Sequence, residues 1–371
     1  MNTSFVAPVR RLPPDVLLEI FKVWEAVRKA DREIAPLNML LGIEDPEKDR
    51  RRKKLVGLGD PIYSRVCVAW RHVALSAPQL WTFISLDSTW RFSNMKAGAL
   101  DGLQRYISQS QQVPLHIRIS HCDTLPCLDP PEIRARADLF KYHGFEWTVE
   151  GPRFGEAWEQ LYANAHRWKS AALTVKPSFL RRCALKAFDC LESVEIYLGR
   201  DNKAELLDVG GSRDFLDVQP LDLFSQAPNV RQASIRLSRP LQPYLNSMAL
   251  PSSWRLTTLS LAVPSDIGES LRAIRQSAGT LITLSLSASH PDRTGDYDAI
   301  EFPVLESLTV NDHASDILEY ITVPSMQSLS IRFPPHQNIL STILDMIDLS
   351  DVHDTLRSFA LIKLDLRKFL V

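Results

Sequence analysis

Residues 256–261 read LTTLSL, and the same beat returns as LITLSL at 281–286, LESLTV at 305–310 and MQSLSI at 326–331. Each copy places an apolar residue, two variable positions, a second apolar residue, one variable position and a third apolar residue. Alternation over the last three positions is the signature of a strand with one buried face. Four more copies extend the series: Trp168-Ala171-Leu173, Leu191-Val194-Ile196 and Val230-Ala233-Ile235 upstream, and Leu356-Phe359-Leu361 downstream. From Leu256 onward the starts fall 21 to 30 residues apart, enough for one strand and a segment that returns the chain beside it.

That arrangement predicts a parallel sheet whose units hide their apolar edges only against their neighbours. The spacing brackets the leucine-rich-repeat period of roughly 20 to 29 residues, so the expected fold class is α/β, a leucine-rich-repeat-like solenoid with a curved parallel sheet. Return segments fit this: Ile267, Leu271 and Ile274 form one helical stripe ending near Gly279, and Ile339, Leu340, Ile343, Leu344 and Ile347 form another. Residues 287–301, SASHPDRTGDYDAIE, carry no apolar period and are expected to be loop. A doubly wound α/β domain is the alternative, but its strands would be longer and would lack the repeated spacing. Positions alternating with the inward residues would line the concave side: Ser193, Glu195, Tyr197, Gln232, Ser234, Arg236, Thr258, Ser260, Thr283, Ser285, Ser307, Thr309, Asn311, Ser328, Ser330 and Arg332. Small hydroxyls dominate there, so Tyr197, Arg236, Asn311 and Arg332 are the candidate target-binding residues.

Upstream, LPPDVLLEIFKVW begins at Leu12. Pro13 and Pro14 suit a helix start, Asp15 puts an anion in its first turn, and Val16, Leu17, Ile20, Phe21 and Trp24 make one wide apolar stripe. Asp60-Pro61 is a second start signal, followed at helical spacing by Ile62, Val66, Ala69 and Val73. The chain then breaks at Pro78 and turns into a β-like run from Leu80 to Leu86. LPPDVLLEIF, VCVAWRHVAL and APQLW, in that order, resemble the opening, middle and close of an F-box. The resemblance implies a module that binds the Skp-type adaptor of cullin-RING ubiquitin ligases, with an exposed share of Leu12, Pro13, Leu17, Ile20, Phe21 and Val66 for docking. Trp70 belongs in the core under any packing of these helices.

Phe21 and Val66 lie 45 positions apart, more than an F-box usually spans, so an insert at about 26–60 is expected. It carries a basic run from Arg50 to Lys54, whose field Glu44, Asp45, Glu47 and Asp49 largely neutralise. Farther on, LYANAHRWKSAALTV from Leu161, together with LWTFISL and VPLHIRIS, is similar to F-box proteins with leucine-rich repeats from mushroom-forming fungi, and extends the resemblance over nearly the whole chain. Trp158, Leu161, Tyr162, Ala165 and Trp168 fall on one helical face, with His166 and Arg167 as positioning or capping groups. The expected domains are an F-box-like helical module at 1–79 and the solenoid at 80–371, irregular over about 80–160.

Lys and Arg number 43 against 44 Asp and Glu, a net charge of -1 that offers no field for nucleic acid or an anionic membrane. No stretch reaches the roughly 20 apolar residues of a membrane span, and the N-terminus lacks a signal-peptide core. Cys67, Cys122, Cys127, Cys183 and Cys190 fit reduced thiols in the cytosol or nucleus. Prolines number 24 against 14 glycines, which suggests many short connections with φ preset by Pro. HCDTLPC at 121–127 lacks the second Cys or His pair of a closed zinc site, and Gly57-Leu58-Gly59 and Gly210-Gly211 are too short to cradle a phosphate. No G-x-S-x-G elbow occurs, so no catalytic residue, metal or cofactor is expected.

The expected function is that of a non-catalytic substrate-recognition adaptor of an SCF-type (cullin-RING) ubiquitin ligase. Its F-box would bind the Skp-type adaptor on the cullin core while the repeats hold a target protein of unknown identity. Outside that complex a monomer is expected, cytoplasmic or nuclear. A ligase-independent leucine-rich-repeat scaffold for protein–protein interaction is the alternative.

Overall fold

Strands and helices appear wherever one face of the chain has apolar side chains to bury. A computed structural model describes residues 12–40, 62–86, 98–120, 152–175, 186–198, 224–237, 250–263, 267–288, 297–332 and 339–362. The chain is α/β with a large parallel sheet, and it divides into two units, Met1–Ile119 with Asp123–Arg167, and Ser120–Cys122 with Trp168–Val371. The division expected after residue 79 runs instead through the interior of the first unit. Trp81 is the reason: its Nε1 donates back to the Ala74 carbonyl at 2.8 Å, and Tyr106 meets its ring edge-on at 4.9 Å.

The first unit opens with α1, Pro14–Leu40. Pro14 stands in the first turn, where its missing N–H is no loss, and Asp15 lies at the positive end of the dipole. Because α1 runs on to Leu40, residues 26–40 of the expected insert continue the helix; 41–61 lie outside the described residues. A 3-10 turn at Ile62–Arg65 leads into α2, Val68–Leu75. The single helix expected from Asp60 is therefore split at Cys67, whose extended backbone caps α2, and the split lets Tyr63 stack on Phe21 at 4.4 Å. Asp60 and Pro61 themselves lie outside the described residues.

After a 3-10 turn at Pro78–Trp81 come β1 (Phe83–Leu86), α3 (Gly98–Gln109), β2 (Leu115–Ser120) and α4 (Pro152–Ala163). β1 and β2 pair in parallel, with Ile84 opposite Ile117 and Leu86 opposite Ile119, all four buried. Trp158, Leu161 and Tyr162 bury one face of α4 as their spacing predicts. Trp168 does not share that helix: Asn164, whose Nδ2 donates to the Gln160 carbonyl at 2.9 Å, ends it, a 3-10 turn at Ala165–Arg167 follows, and Trp168 opens the next strand.

Arg167 is buried yet charged, and its contacts explain why it is tolerated there. Its Nη2 donates to the Ser110 hydroxyl at 2.7 Å and to the Val113 carbonyl at 2.9 Å, clasping the turn that follows α3, where Gln111 takes a left-handed φ of 50°. Burial pushes the guanidinium pKa below its ordinary value. Arg167→Leu leaves those acceptors unmet and is expected to cost about 1.5–3 kcal/mol, measurable as faster hydrogen exchange across residues 110–119 with a lowered urea midpoint.

In the second unit, parallel pairing runs through β3 (Trp168–Val175), β4 (Ser193–Leu198), β5 (Gln232–Leu237), β6 (Thr258–Val263), β7 (Thr283–Ala288), β9 (Ser307–Asp312), β11 (Ser328–Arg332) and β12 (Ser358–Ile362). The repeated sequence pattern lies in register throughout. Ala171, Val194, Ala233, Leu259, Leu284, Leu308, Leu329 and Phe359 make one row, and Leu173, Ile196, Ile235, Leu261, Leu286, Val310, Ile331 and Leu361 the next. Both rows are buried through β11; on β12, the last strand of the order, Phe359 is 48% and Leu361 44% exposed.

Several prolines set the turns that feed these strands. In Ala227-Pro228-Asn229-Val230, Phe302-Pro303-Val304-Leu305 and Val323-Pro324-Ser325-Met326 the fourth residue donates its N–H to the carbonyl of the first, with Pro at the position its fixed φ suits. Phe302 and Val323 are fully buried, which adds an apolar position three residues before each repeat. Polar side chains then stitch turn to turn: Asn229 Nδ2 donates to the Asp189 carbonyl, Ser253 Oγ to Ser225, Thr280 Oγ1 to Leu256 and Ser325 Oγ to Pro303.

The return helices are α5, Ile267–Arg275, and α6, Ile339–Ser350. On α5 Leu271 and Ile274 are buried as expected. On α6 the expected stripe divides: Ile343 is buried, Ile347 half-buried, and Leu340 and Leu344 exposed, while Met346, outside that stripe, is buried. Within the stretch expected to be loop, β7 extends to Ala288, and Ile300–Glu301 form a short strand, β8, paired with β10 at Ile321–Thr322.

Candidate functional site

Two surfaces stand out, one on each unit. On the first, α1 carries one wide apolar arc. Leu17 and Phe21, 2% and 1% exposed, point into the unit, where Phe21 meets Tyr63 face to face and Trp70 edge-on at 5.1 Å. The adjoining flank of the same apolar arc carries Val16, Ile20, Val23, Trp24 and Val27, with Ile20 43% and Trp24 50% exposed. Exposed large apolar side chains at successive helical turns are informative where an isolated one is not.

Of the residues expected to dock an adaptor, Pro13, Ile20 and Val66 are exposed and Leu12 is half-buried. Leu17 and Phe21 belong to the core instead, because they lie one turn apart on the face that meets Tyr63 and Trp70. Val23 and Val27 continue the outer stripe beyond the stretch quoted for the F-box likeness; their helical spacing from Val16 and Ile20 was the available signal. Trp70 is half-buried with its Nε1 inside.

On the second unit the positions between the buried rows form three parallel rows of their own. The first runs Ser170, Ser193, Gln232, Thr258, Thr283, Ser307, Ser328 and Ser358; the second Ala172, Glu195, Ser234, Ser260, Ser285, Thr309, Ser330 and Ala360. The third holds every residue singled out as a target contact: Thr174, Tyr197, Arg236, Ala262, Ser287, Asn311, Arg332 and Ile362. Arg236 and Arg332 are exposed, Tyr197 and Asn311 half-buried. Short Ser and Thr side chains dominate the first two rows, apart from Gln232 and Glu195.

Other motifs resolve less. His166 is exposed beside buried Arg167, and it is Arg167 alone that clasps the turn after α3. Cys67 is half-buried and Cys190 exposed. The basic run at 50–54, HCDTLPC and both glycine pairs lie outside the described residues, as do Cys122, Cys127 and Cys183. Among the described residues no three His, Cys, Asp or Glu side chains group as metal ligands, and no helix is long and apolar enough to cross a membrane. No protein-family model matches the sequence, and the search of curated proteins returns no match.

Proposed function

We propose that this protein is a substrate-recognition adaptor of a cullin-RING ubiquitin ligase. The first unit acts as an F-box-like module whose outer α1 face docks the Skp-type adaptor. The parallel ladder of the second is a leucine-rich-repeat-like solenoid whose polar rows hold a target protein. The chain itself performs no chemistry; it works in the cytosol or nucleus by holding the target where partner proteins transfer ubiquitin, so that proximity supplies the rate.

One observation carries this reading: α1 buries one apolar stripe and still presents Val16, Ile20, Val23, Trp24 and Val27 outward. The apolar arc of α1 is wider than its own core covers, and a helix seated in a partner's groove is read through such uncovered anchors. Ile20→Asp with Trp24→Asp is therefore expected to cut recovery of purified Skp-type adaptor at least tenfold in a pull-down, with unchanged circular dichroism, because both side chains are exposed. Arg236→Ala protein serves as the control with full recovery. Equal recovery by both variants, or no adaptor captured by the wild type, sinks the ligase role and leaves a ligase-independent repeat scaffold.

A further inference from the structure

The third polar row is uneven in a way that says something about its occupant. Four of its eight members are short, Thr174, Ala262, Ser287 and Asn311, but two arginines belong to it, Arg236 on β5 beside Tyr197 and Arg332 on β11 beside Ile362. Both are exposed, and neither has a hydrogen-bond or ion-pair partner among the described residues. Glu195, the acidic member of the neighbouring row, sits diagonally from Arg236 across the β4–β5 pair, and no ion pair joins the two.

β6, β7 and β9 separate the two strands, so four ladder steps of about 4.8 Å put the arginines roughly 19 Å apart. An extended peptide advances about 3.3 Å per residue, so about six residues bridge that distance. A guanidinium pairs best with a planar carboxylate, two N–H groups to two oxygens. With a net charge of -1 and only two cations along the row, nothing here makes the continuous basic track that a nucleic-acid backbone needs.

The geometry points to an acidic, extended segment of the target protein as the occupant, laid across the strands with two carboxylates about six residues apart, one on Arg236 and one on Arg332. The inference rests on the reading of this sheet face as the target-binding surface, and it adds the chemistry of the bound segment. Tyr197, opposite Arg236 in the ladder, gives one end of the segment an aromatic platform.

The test is a displayed library of random 12-residue peptides selected against the full-length protein and then sequenced. Enriched peptides are expected to carry Asp or Glu pairs spaced five to seven residues apart. A labelled synthetic copy of one should bind about tenfold more weakly, by fluorescence anisotropy, to Arg236→Ala or Arg332→Ala. Arg236→Glu with Arg332→Glu should abolish binding, and a peptide with Lys at both acidic positions should restore it, a rescue that a misfolded variant cannot show. Absence of enrichment, enriched peptides without paired acids, or equal affinity for the wild type and the alanine variants each overturns the inference. Skp-type adaptor capture on the same preparations keeps the two readings apart: adaptor bound without acid-pair selection removes only this inference, and acid-pair selection without adaptor removes only the ligase role.

Discussion

Phe21→Ala is expected to destabilise the first unit by about 3–5 kcal/mol, the usual loss for truncating a buried aromatic. Phe21 is 1% exposed and sits between two rings, stacked on Tyr63 and edge-on to Trp70. Such pairs add about 0.5–1.5 kcal/mol each beyond area burial, which puts this site at the upper end of the range. Trp24, on the next turn, is half-exposed, and Trp24→Ala should cost only about 1 kcal/mol. Urea titration read by hydrogen-exchange mass spectrometry across residues 62–86 separates the two substitutions. On the proposed ligase reading both would weaken adaptor docking, Phe21→Ala by unfolding the module and Trp24→Ala with the module intact. Equal protection in the two variants would show that the inward and outward faces of α1 have been assigned wrongly.

Leu308→Ala is the second large effect. Leu308 is fully buried on β9, between Leu284 on one side and Leu329 on the other, and the expected cost is about 2–5 kcal/mol. Phe359, in the same row beyond Leu329, offers a control. It is half-exposed on β12, so much of its surface meets water in the folded state already, and Phe359→Ala should cost only about 1 kcal/mol although it removes more atoms. A smaller side chain thus outweighs a larger one because of its place in the stack. Chemical denaturation of the two variants, followed by exchange across residues 283–332, measures the difference directly.

The ladder was readable in advance because burial forces a pattern on the chain: Leu259, Leu284, Leu308 and Leu329 have to recur where each strand faces inward, and they align in register. End effects were not readable. Leu356-Phe359-Leu361 has the same spelling as its neighbours, yet among the described residues β12 pairs with β11 alone, and no local pattern reports that. Division of labour along α1 was hidden for a similar reason, since Leu17 and Ile20 look alike until Tyr63, from a distant segment, selects one face to cover. The turn stitches through Asn229, Ser253, Thr280 and Ser325 leave almost no trace, because a polar residue before a strand is common whatever it bonds. Tyr197, Arg236, Asn311 and Arg332 stand out in the sequence by residue type alone, and their common row emerges only from the strand register. Arg167, read as a positioning group from its place after a helix, owes its burial to Ser110 and Val113, far away in sequence.

The links between rungs differ greatly in length while the rungs keep step. From Leu198 to Gln232 the chain takes about twice as many residues as from Val175 to Ser193, yet Val194 still faces Ala171 and Ala233 still faces Val194. Doubling a loop raises its closure cost by only about 0.6 kcal/mol, small beside the burial of a single core leucine. Such a chain can accept inserted sequence between strands over evolutionary time without renegotiating the ladder that holds it together.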